Sequence, residues 1–203
     1  MLKRLAFFFI FSTSFVSAQI DYSDSWEDFF SYNNVKDFVK VDNMLYALSD
    51  NAIFTYDVTT QEIEKLSSVQ GLSGETTSAI HYSIETNRLV IGYENGLIEV
   101  VDSDGSITIS ADIVSFNQTG EKSINDIFEY QGKLYLSTSF AIVEYDITEL
   151  EFGDTFFIGN NSTDVNIHQI TVFNDRIFAA TENGVFYADS ANPNLIDFNN
   201  WNT

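Results

Sequence analysis

The chain has 203 residues, of which 30 are acidic and only 9 are lysine or arginine, so its formal net charge at pH 7 is −21. It contains no cysteine, which excludes disulfides, thiolate metal sites and thiol nucleophiles. A negative field of this size repels nucleic-acid phosphates and anionic membranes, so we do not expect direct binding to either.

The first 18 residues have the pattern of a secretory signal peptide. Lys3 and Arg4 precede an apolar run, and Val16, Ser17 and Ala18 form a small-residue cleavage site before Gln19. The uncharged stretch 5–18 is too short to cross a bilayer core. The sequence therefore predicts a signal peptide over 1–18, a mature exported chain over 19–203 and no transmembrane segment after cleavage.

The mature chain contains a fourfold internal repeat. An apolar residue stands seven positions before a small one in each unit, and successive small residues are 44, 45 and 43 positions apart. The apolar and small pairs are Leu45 with Ala52, Leu89 with Gly96, Leu134 with Ala141, and Ile177 with Gly184. A constant inner offset within a varying period indicates that insertions fall between the units.

Each unit has the pattern of a series of short strands. β-branched and aromatic residues fill these runs, while Asn, Asp and Gly separate them, and no helical stripe interrupts the pattern. Four strands in about 44 residues are typical of a β-propeller blade. We therefore predict an all-β chain of four four-stranded blades, over about 35–66, 78–110, 124–158 and 167–203, which form part of a larger ring.

Two groups of residues carry a family resemblance. The stretch from Gly71 to Leu97 resembles the regulator-propeller repeat of exported Bacteroidetes proteins, and the run from Trp26 to Val35 resembles the PorZ family of the type IX secretion system. The resemblance to PorZ extends to the segments 122–127 and 192–195. It implies a larger protein of two propellers and a β-sandwich at the outer-membrane surface, with a link to anionic lipopolysaccharide.

The turns between the second and third strands supply the candidate ligand-binding residues. Asn51, Asn95, Phe140 and Asn183 occupy these turns, which should meet on one face of a ring, where propellers bind ligands. Phe140, at a position where the other units have Asn, is predicted to be exposed and to stack on a sugar. The alternative is that Asn serves only the turns themselves.

The recurring acids favour a structural role. Asp57, Asp102, Asp146 and Asp189 end the third strand of each unit, and four equivalent carboxylates do not form the unlike pair that acid–base catalysis needs. The run 102–105 resembles the start of a calcium loop but lacks the remaining ligands, so a hairpin turn is favoured. We expect no metal, no cofactor and no catalytic residues.

Three functional classes follow from these observations. The leading hypothesis is a non-enzymatic type IX secretion module at the outer-membrane surface or in the periplasm, with other secretion-system surface proteins as partners and lipopolysaccharide as a further ligand. The alternative is a periplasmic oligosaccharide-sensing propeller of a hybrid two-component regulator. A glycan-degrading enzyme is the third class, and the sequence offers it no nucleophile–base pair or metal constellation.

Overall fold

The computed structural model describes residues 29–203, and the predicted signal peptide lies outside this range. The described chain folds into four antiparallel sheets in chain order, which confirms the all-β propeller-blade architecture. Each sheet is a meander, because short turns rich in Asn, Asp and Gly join strands that are adjacent in sequence. We number the sheets as blades 1 to 4.

The strands of the four blades follow one another with little intervening structure. In chain order they are β1 (Val35–Val41), β2 (Met44–Ser49), β3 (Ala52–Asp57), β4 (Ile63–Leu66), β5 (Thr77–Ser83), β6 (Arg88–Tyr93), β7 (Ile98–Val101), β8 (Ile107–Ser110), β9 (Ile124–Tyr130), β10 (Lys133–Thr138), β11 (Ile142–Asp146), β12 (Glu151–Phe156), β13 (Ile167–Phe173), β14 (Arg176–Thr181) and β15 (Gly184–Asp189).

The first strands of the blades, β1, β5, β9 and β13, lie side by side as the inner strands. Three apolar clusters join the blades in pairs, and we call these the first, second and third seams. The second seam, between blades 2 and 3, contains Val90, Ile98, Leu134 and Tyr145 in one cluster. Apolar burial between neighbouring sheets therefore holds this cysteine-free chain together.

Three features differ from the predicted strands. Blade 4 has three strands, and only an isolated bridge between Tyr187 and Asn202 stands in the place of a fourth. The outer strand of blade 3 is Glu151–Phe156, whereas the sequence pattern predicts this strand over 154–158. A short helix, α1 (Asp112–Ser115), follows blade 2.

Within residues 29–203, no helix has the length and apolarity needed to span a membrane.

The inner strands share a register shift close to their starts. In β1, β5 and β13 the shift falls between the first and third residues, and in β9 it falls at the corresponding place. The residues at this bulge are Lys36, Ser78, Asn125 and His168. Because a bulge turns a side chain out of the regular ladder, these four positions form a second repeated set.

Candidate functional site

The turns between the second and third strands all lie at the end of the blades where the inner strands begin, which we call the turn end. Backbone hydrogen bonds link these turns to the inner-strand starts: Glu94 N donates to Thr76 O over 2.9 Å, and Ser139 N donates to Ser123 O over 3.0 Å. The predicted placement of the four turns at one end of the blades is therefore confirmed. Gly96 and Gly184 have the expected positive φ.

The asparagines in these turns take part in hydrogen bonds within the chain. Asn51 Nδ2 donates to Gly74 O over 2.9 Å, and Asn95 Oδ1 accepts from Leu97 N over 3.0 Å. The backbone N–H of Asn183 donates to Thr181 Oγ1, and the Asn183 side chain is exposed. The bonds of Asn95 and Asn183 are those expected of turn residues, whereas the Asn51 bond reaches the segment before blade 2. Ligand binding by the three asparagines stays a prediction.

Phe140 is not exposed, so the predicted stacking surface is wrong. Its side chain is only 2 % accessible and belongs to the second seam. Its ring stacks on Phe116, with centroids 5.8 Å apart, and packs beside Phe157. The sequence could not show this, because Phe116 lies in the segment after blade 2, far from the Phe140 turn in the chain. Only the folded structure places the Phe116 ring over Phe140.

Three of the four recurring acids, Asp57, Asp146 and Asp189, serve the turns, as predicted. Asp57 Oδ1 accepts from Thr59 N over 2.7 Å, and Asp146 Oδ1 accepts from Thr148 N over 2.9 Å. Asp102 Oδ1 instead accepts from Arg88 Nε over 2.7 Å. The run 102–105 is a hairpin turn closed by a 2.9 Å bond from Gly105 N to Asp102 O.

A polar cleft of about 460 Å³ opens at the turn end beside the second seam. Its lining residues come from all three of the first blades or the segments before them, namely Lys36, Ser78, Glu94, Glu121 and Ser123. Lys36 Nζ lies 3.3 Å from Glu94 Oε1 and 3.4 Å from Asp50 Oδ1. The one cation among these lining residues is therefore already paired with carboxylates.

The bulge residues differ in whether they bond to the next blade. Lys36 Nζ donates to Thr77 O of the next blade, and Asn125 Nδ2 donates to Ile167 O of the next blade, each over 2.7 Å. Thr77 and Ile167 are the first residues of their inner strands. At the second seam the bulge residue is Ser78, whose hydroxyl oxygen is buried and has no hydrogen-bond partner among the described residues. Serine is too short to repeat the bond.

The segment before blade 3 contributes Glu121 and Ser123 to the lining of the cleft. Lys122 Nζ donates to the carbonyl oxygens of Val114 and Phe116, each over 2.6 Å, and so holds the linker against the end of α1. Glu121 is exposed, and no partner for its carboxylate lies within residues 29–203. None of the cleft residues was predicted from the sequence, although one signal was present: equal positions of the four repeats hold Lys36, Ser78, Asn125 and His168.

The turn end is strongly acidic beyond the cleft itself. Exposed carboxylates follow one another across the turns and linkers: Glu75, Glu94, Glu121, Asp164 and Glu182. Lys122 is turned into its linker, and Lys36 is neutralised by two acids. This end of the molecule therefore attracts cationic groups and repels anionic ones.

A second concavity, of about 560 Å³, lies at the other end of the blades and contains His81 and Glu129. His81 Nε2 lies 2.8 Å from Glu129 Oε2, and Ser83 Oγ donates to Glu129 Oε1 over 2.9 Å. A nucleophilic triad needs the hydroxyl bonded to the imidazole. Here both groups bind the same carboxylate, so the three residues join blade 2 to blade 3 instead.

One carboxylate of the inner strands has a perturbed acidity. Burial raises the pKa of Asp126, and the negative charge of Asp37 raises it further. Hydrogen bonds from the backbone of Ile170 and Ile127 and the nearby His81 act in the opposite direction on this pKa. The partly buried position of Asp126 therefore disfavours its charged form.

Comparison with known proteins gives one family and several structures. A family model described as "TSS9, PorZ, N-terminal beta-propeller domain" matches residues 45–202. No curated protein matches the chain significantly. PorZ of Porphyromonas gingivalis, described as an essential surface component of the type IX secretion system, shares 21% identity and a TM-score of 0.71 over 83% of this chain and 22% of PorZ.

Other solved structures share the fold at lower similarity. The extracellular domain of a putative hybrid two component system from B. thetaiotaomicron has 15% identity and a TM-score of 0.63, over 79% of this chain and 21% of that one. Sqt1 of Saccharomyces cerevisiae has 20% identity and a TM-score of 0.62, over 80% of this chain and 48% of Sqt1.

These structural similarities concern the fold alone, and the chain spans about a fifth of the length of the PorZ and sensor structures. The family model carries more weight, because it covers well over half of the sequence. The chain belongs to the PorZ N-terminal β-propeller family.

Proposed function

We propose that this chain is a non-enzymatic module of the type IX secretion system, exported to the outer-membrane surface, that binds protein partners through its turn end. The observation that carries the proposal is the match of residues 45–202 to the PorZ propeller family. PorZ of P. gingivalis is a surface component of that system. A ring of rigid blades that presents turns at one end is a common platform for binding.

The charge distribution favours a protein partner at this end over an anionic glycan. The exposed acids of the turn end outnumber its cations, and Lys36 is engaged by Asp50 and Glu94. An anionic lipopolysaccharide would meet repulsion here. We therefore expect no direct lipopolysaccharide contact at this end of the blades.

The second concavity supports a non-enzymatic role. His81, which lines it, and the buried Ser83 beside it are bonded to the Glu129 carboxylate, not to each other. Catalysis by a hydroxyl nucleophile requires a base that can take its proton. The arrangement is that of a clamp between inner strands.

A pull-down tests the proposal. The tagged full-length protein and its tagged segment 19–203 are incubated with a detergent extract of the outer membrane, and the bound proteins are identified by mass spectrometry. We expect both baits to recover other secretion-system proteins. Recovery by the full-length protein together with no recovery by the segment would contradict binding through this module.

A periplasmic oligosaccharide sensor is the second candidate, because extracellular domains of putative two component systems share the fold. The coding sequence downstream separates the candidates. A second propeller followed by a β-sandwich supports the secretion module, whereas a hydrophobic span followed by a kinase supports the sensor.

A further inference from the structure

The tripeptide Glu-Asn-Gly occurs at 94–96 and again at 182–184, each time in the turn after the second strand of its blade. We propose that Asn183 is a site of spontaneous deamidation, and that the fold protects Asn95 from the same reaction. The reaction needs no partner other than water, so this inference is independent of the proposed function.

The reaction joins two atoms that are close neighbours along the chain. The Gly184 backbone nitrogen loses its proton to hydroxide and forms a bond to Asn183 Cγ, while the Cγ–Nδ2 bond breaks and the amide leaves as ammonia. Water then opens the resulting five-membered ring at either carbonyl, which leaves aspartate or isoaspartate. One water is consumed, one ammonia is released and one carboxylate is gained. Glycine favours the attack because it has no Cβ to hinder the approach.

The backbones of the two turns are alike, so they do not distinguish the two asparagines. Gly96 and Gly184 both have a positive φ, of 88° and 116°. Each glycine stands opposite the last residue of the second strand: Gly96 N donates to Tyr93 O over 3.0 Å, and Gly184 pairs with Thr181. The preceding glutamate is also shared. The surroundings of the side chains therefore decide which asparagine reacts.

Asn95 is held in place and covered. Its Oδ1 accepts a hydrogen bond from Leu97 N over 3.0 Å, which ties the carboxamide to the backbone. Gly96 is buried, and a Cβ atom at this position would lie 2.5 Å from Ile113 Cγ2 and 3.0 Å from Lys122 O. The α1 helix and the segment before blade 3 therefore close over this turn. Reaction at Asn95 requires the carboxamide bond to break and these segments to open.

Asn183 has neither restraint. Its carboxamide has no hydrogen-bond partner among residues 29–203, and residues 182–185 are all exposed. Apart from its neighbours in the chain, no atom lies within 4 Å of a Cβ placed on Gly184. Thr181 Oγ1 accepts from Asn183 N over 3.0 Å and donates to Gly184 O over 2.9 Å, and these bonds do not involve the carboxamide. The Asn183 side chain can therefore turn toward Gly184 N without losing a hydrogen bond.

Deamidation changes the chemistry of the turn end. It adds a carboxylate beside Glu182, on a surface that is already rich in exposed acids. It also removes the amide donor of Asn183, which is one of the predicted ligand-binding residues. The turn end of an aged chain therefore differs from that of a newly made chain in charge and in hydrogen-bond donors.

Timed peptide mapping tests the proposal. The full-length protein is incubated near neutral pH, either folded or unfolded in urea, and mass spectrometry follows aspartate and isoaspartate at Asn95 and Asn183. In urea the two sites should react at similar rates, because their tripeptides are identical. In the folded protein Asn95 should react about tenfold or more slowly than Asn183. Equal folded rates, or folding that slows Asn183 as much as Asn95, would overturn the proposal.

Two variants test the assigned causes. Gly184→Ala places a methyl group in open space beside the attacking nitrogen and should slow the reaction at Asn183 about tenfold. Ile113→Ala uncovers Gly96 and should speed the reaction at Asn95, while Asn183, in another blade, keeps its rate and serves as the internal control. An unchanged rate at Asn183 in Gly184→Ala would contradict attack by the glycine nitrogen. An unchanged rate at Asn95 in Ile113→Ala would contradict protection by packing.

Discussion

Leu45 of blade 1 and Leu134 of blade 3 occupy the same position of the repeat, yet they have different surroundings. Both side chains point toward the preceding blade. Leu134 is fully buried in the second seam against blade 2. Leu45 is only half-buried, because no blade precedes blade 1 within the described residues. The other two members of the set, Leu89 and Ile177, are buried like Leu134.

Blade 4, the last blade, shows the same contrast between a covered and an uncovered position of the repeat. Tyr135 of blade 3 packs into the third seam, whereas Phe178 at the same position of blade 4 is half-buried beside the ring of Tyr187. We call these outward surfaces of blades 1 and 4 the open faces. Their large apolar residues include Phe38, 58% exposed, and Phe173, 65% exposed.

The local sequence therefore gives each blade two apolar faces. This holds even for blades 1 and 4, which each lack one neighbouring blade within residues 29–203. Every blade has an apolar side toward the preceding blade and another toward the following one. Apolar surfaces of this extent are uncommon on a soluble monomer. That further blades of one ring cover both open faces in the full-length protein stays a prediction.

The second seam should show the greatest loss of stability on substitution. Leu134→Ala should lower the free energy of unfolding by about 2–5 kcal/mol, through lost burial and a residual cavity. Leu45→Ala removes the same atoms from an open face and should cost about 1 kcal/mol. Urea denaturation of both variants measures the difference. Equal losses would show that the open face of blade 1 is covered in solution.

The polar part of the first seam provides the next test. Glu99 is fully buried, accepts from Ser73 N over 2.8 Å, and is hydrogen-bonded to the hydroxyl of Tyr93. Glu99→Ala leaves both donors unsatisfied and should cost about 2–4 kcal/mol.

The control is Glu85→Ala, which removes an exposed carboxylate from a hairpin of the same blade. It should change the free energy of unfolding by less than about 0.5 kcal/mol. Thermal and urea unfolding report both values. A small loss for Glu99→Ala would mean that water replaces the carboxylate in this seam.

The open faces should make the isolated segment 19–203 associate with itself. Phe173→Lys places a charge on the open face of blade 4 and should weaken self-association about tenfold, with little effect on folding. Ile84→Lys is the matched control, because Ile84 is 74% exposed but lies on a hairpin away from the open faces. Sedimentation velocity over a concentration series measures association, and equal effects of the two changes would contradict the assignment.

The repeat made the fold predictable, because the fixed offset from Leu45 to Ala52 and its equivalents identifies two strands and the turn between them. Strand ends and the last blade were less predictable: Asn202 makes only a bridge to Tyr187, which four-stranded periodicity does not reveal. The structure therefore changed the boundaries more than the architecture.

The site was less predictable than the fold. Asn95 and its equivalents were predicted as ligand-binding residues because their types recur, and turn chemistry also accounts for Asn95. Phe140 was predicted to be exposed because its neighbours in sequence are turn residues, and only tertiary packing places Phe116 over it. At the bulge position Ser78 is short, whereas Lys36 and Asn125 are long enough to cross a seam, and single-residue differences of this kind stand out only once the register is known.

The smallest predicted effect is on the pH dependence of stability. It compares the partly buried Asp126 with the exposed Asp104. Burial raises the pKa of Asp126 above its unfolded value, so folding favours the protonated acid. The stability that Asp126 contributes is therefore greatest below the unfolded pKa and falls as pH rises through the folded pKa. Asp126→Asn keeps an acceptor oxygen for the Ile170 backbone, and it should make the protein slightly more stable at about pH 7.

Asp104, in the exposed hairpin 102–105, should behave in the opposite way. Its hydrogen bonds with Ser106 lower its pKa, so its contribution is present above the unfolded pKa and is lost as pH falls through the folded pKa. Asp104→Asn should therefore be slightly less stable than the unchanged chain at about pH 7 and should approach it near about pH 3. Unfolding midpoints of both variants between these pH values measure the two slopes, which should have opposite signs. Parallel slopes would show that Asp126 is solvated like Asp104, and that the inner strands of blades 3 and 4 are not closely packed around it.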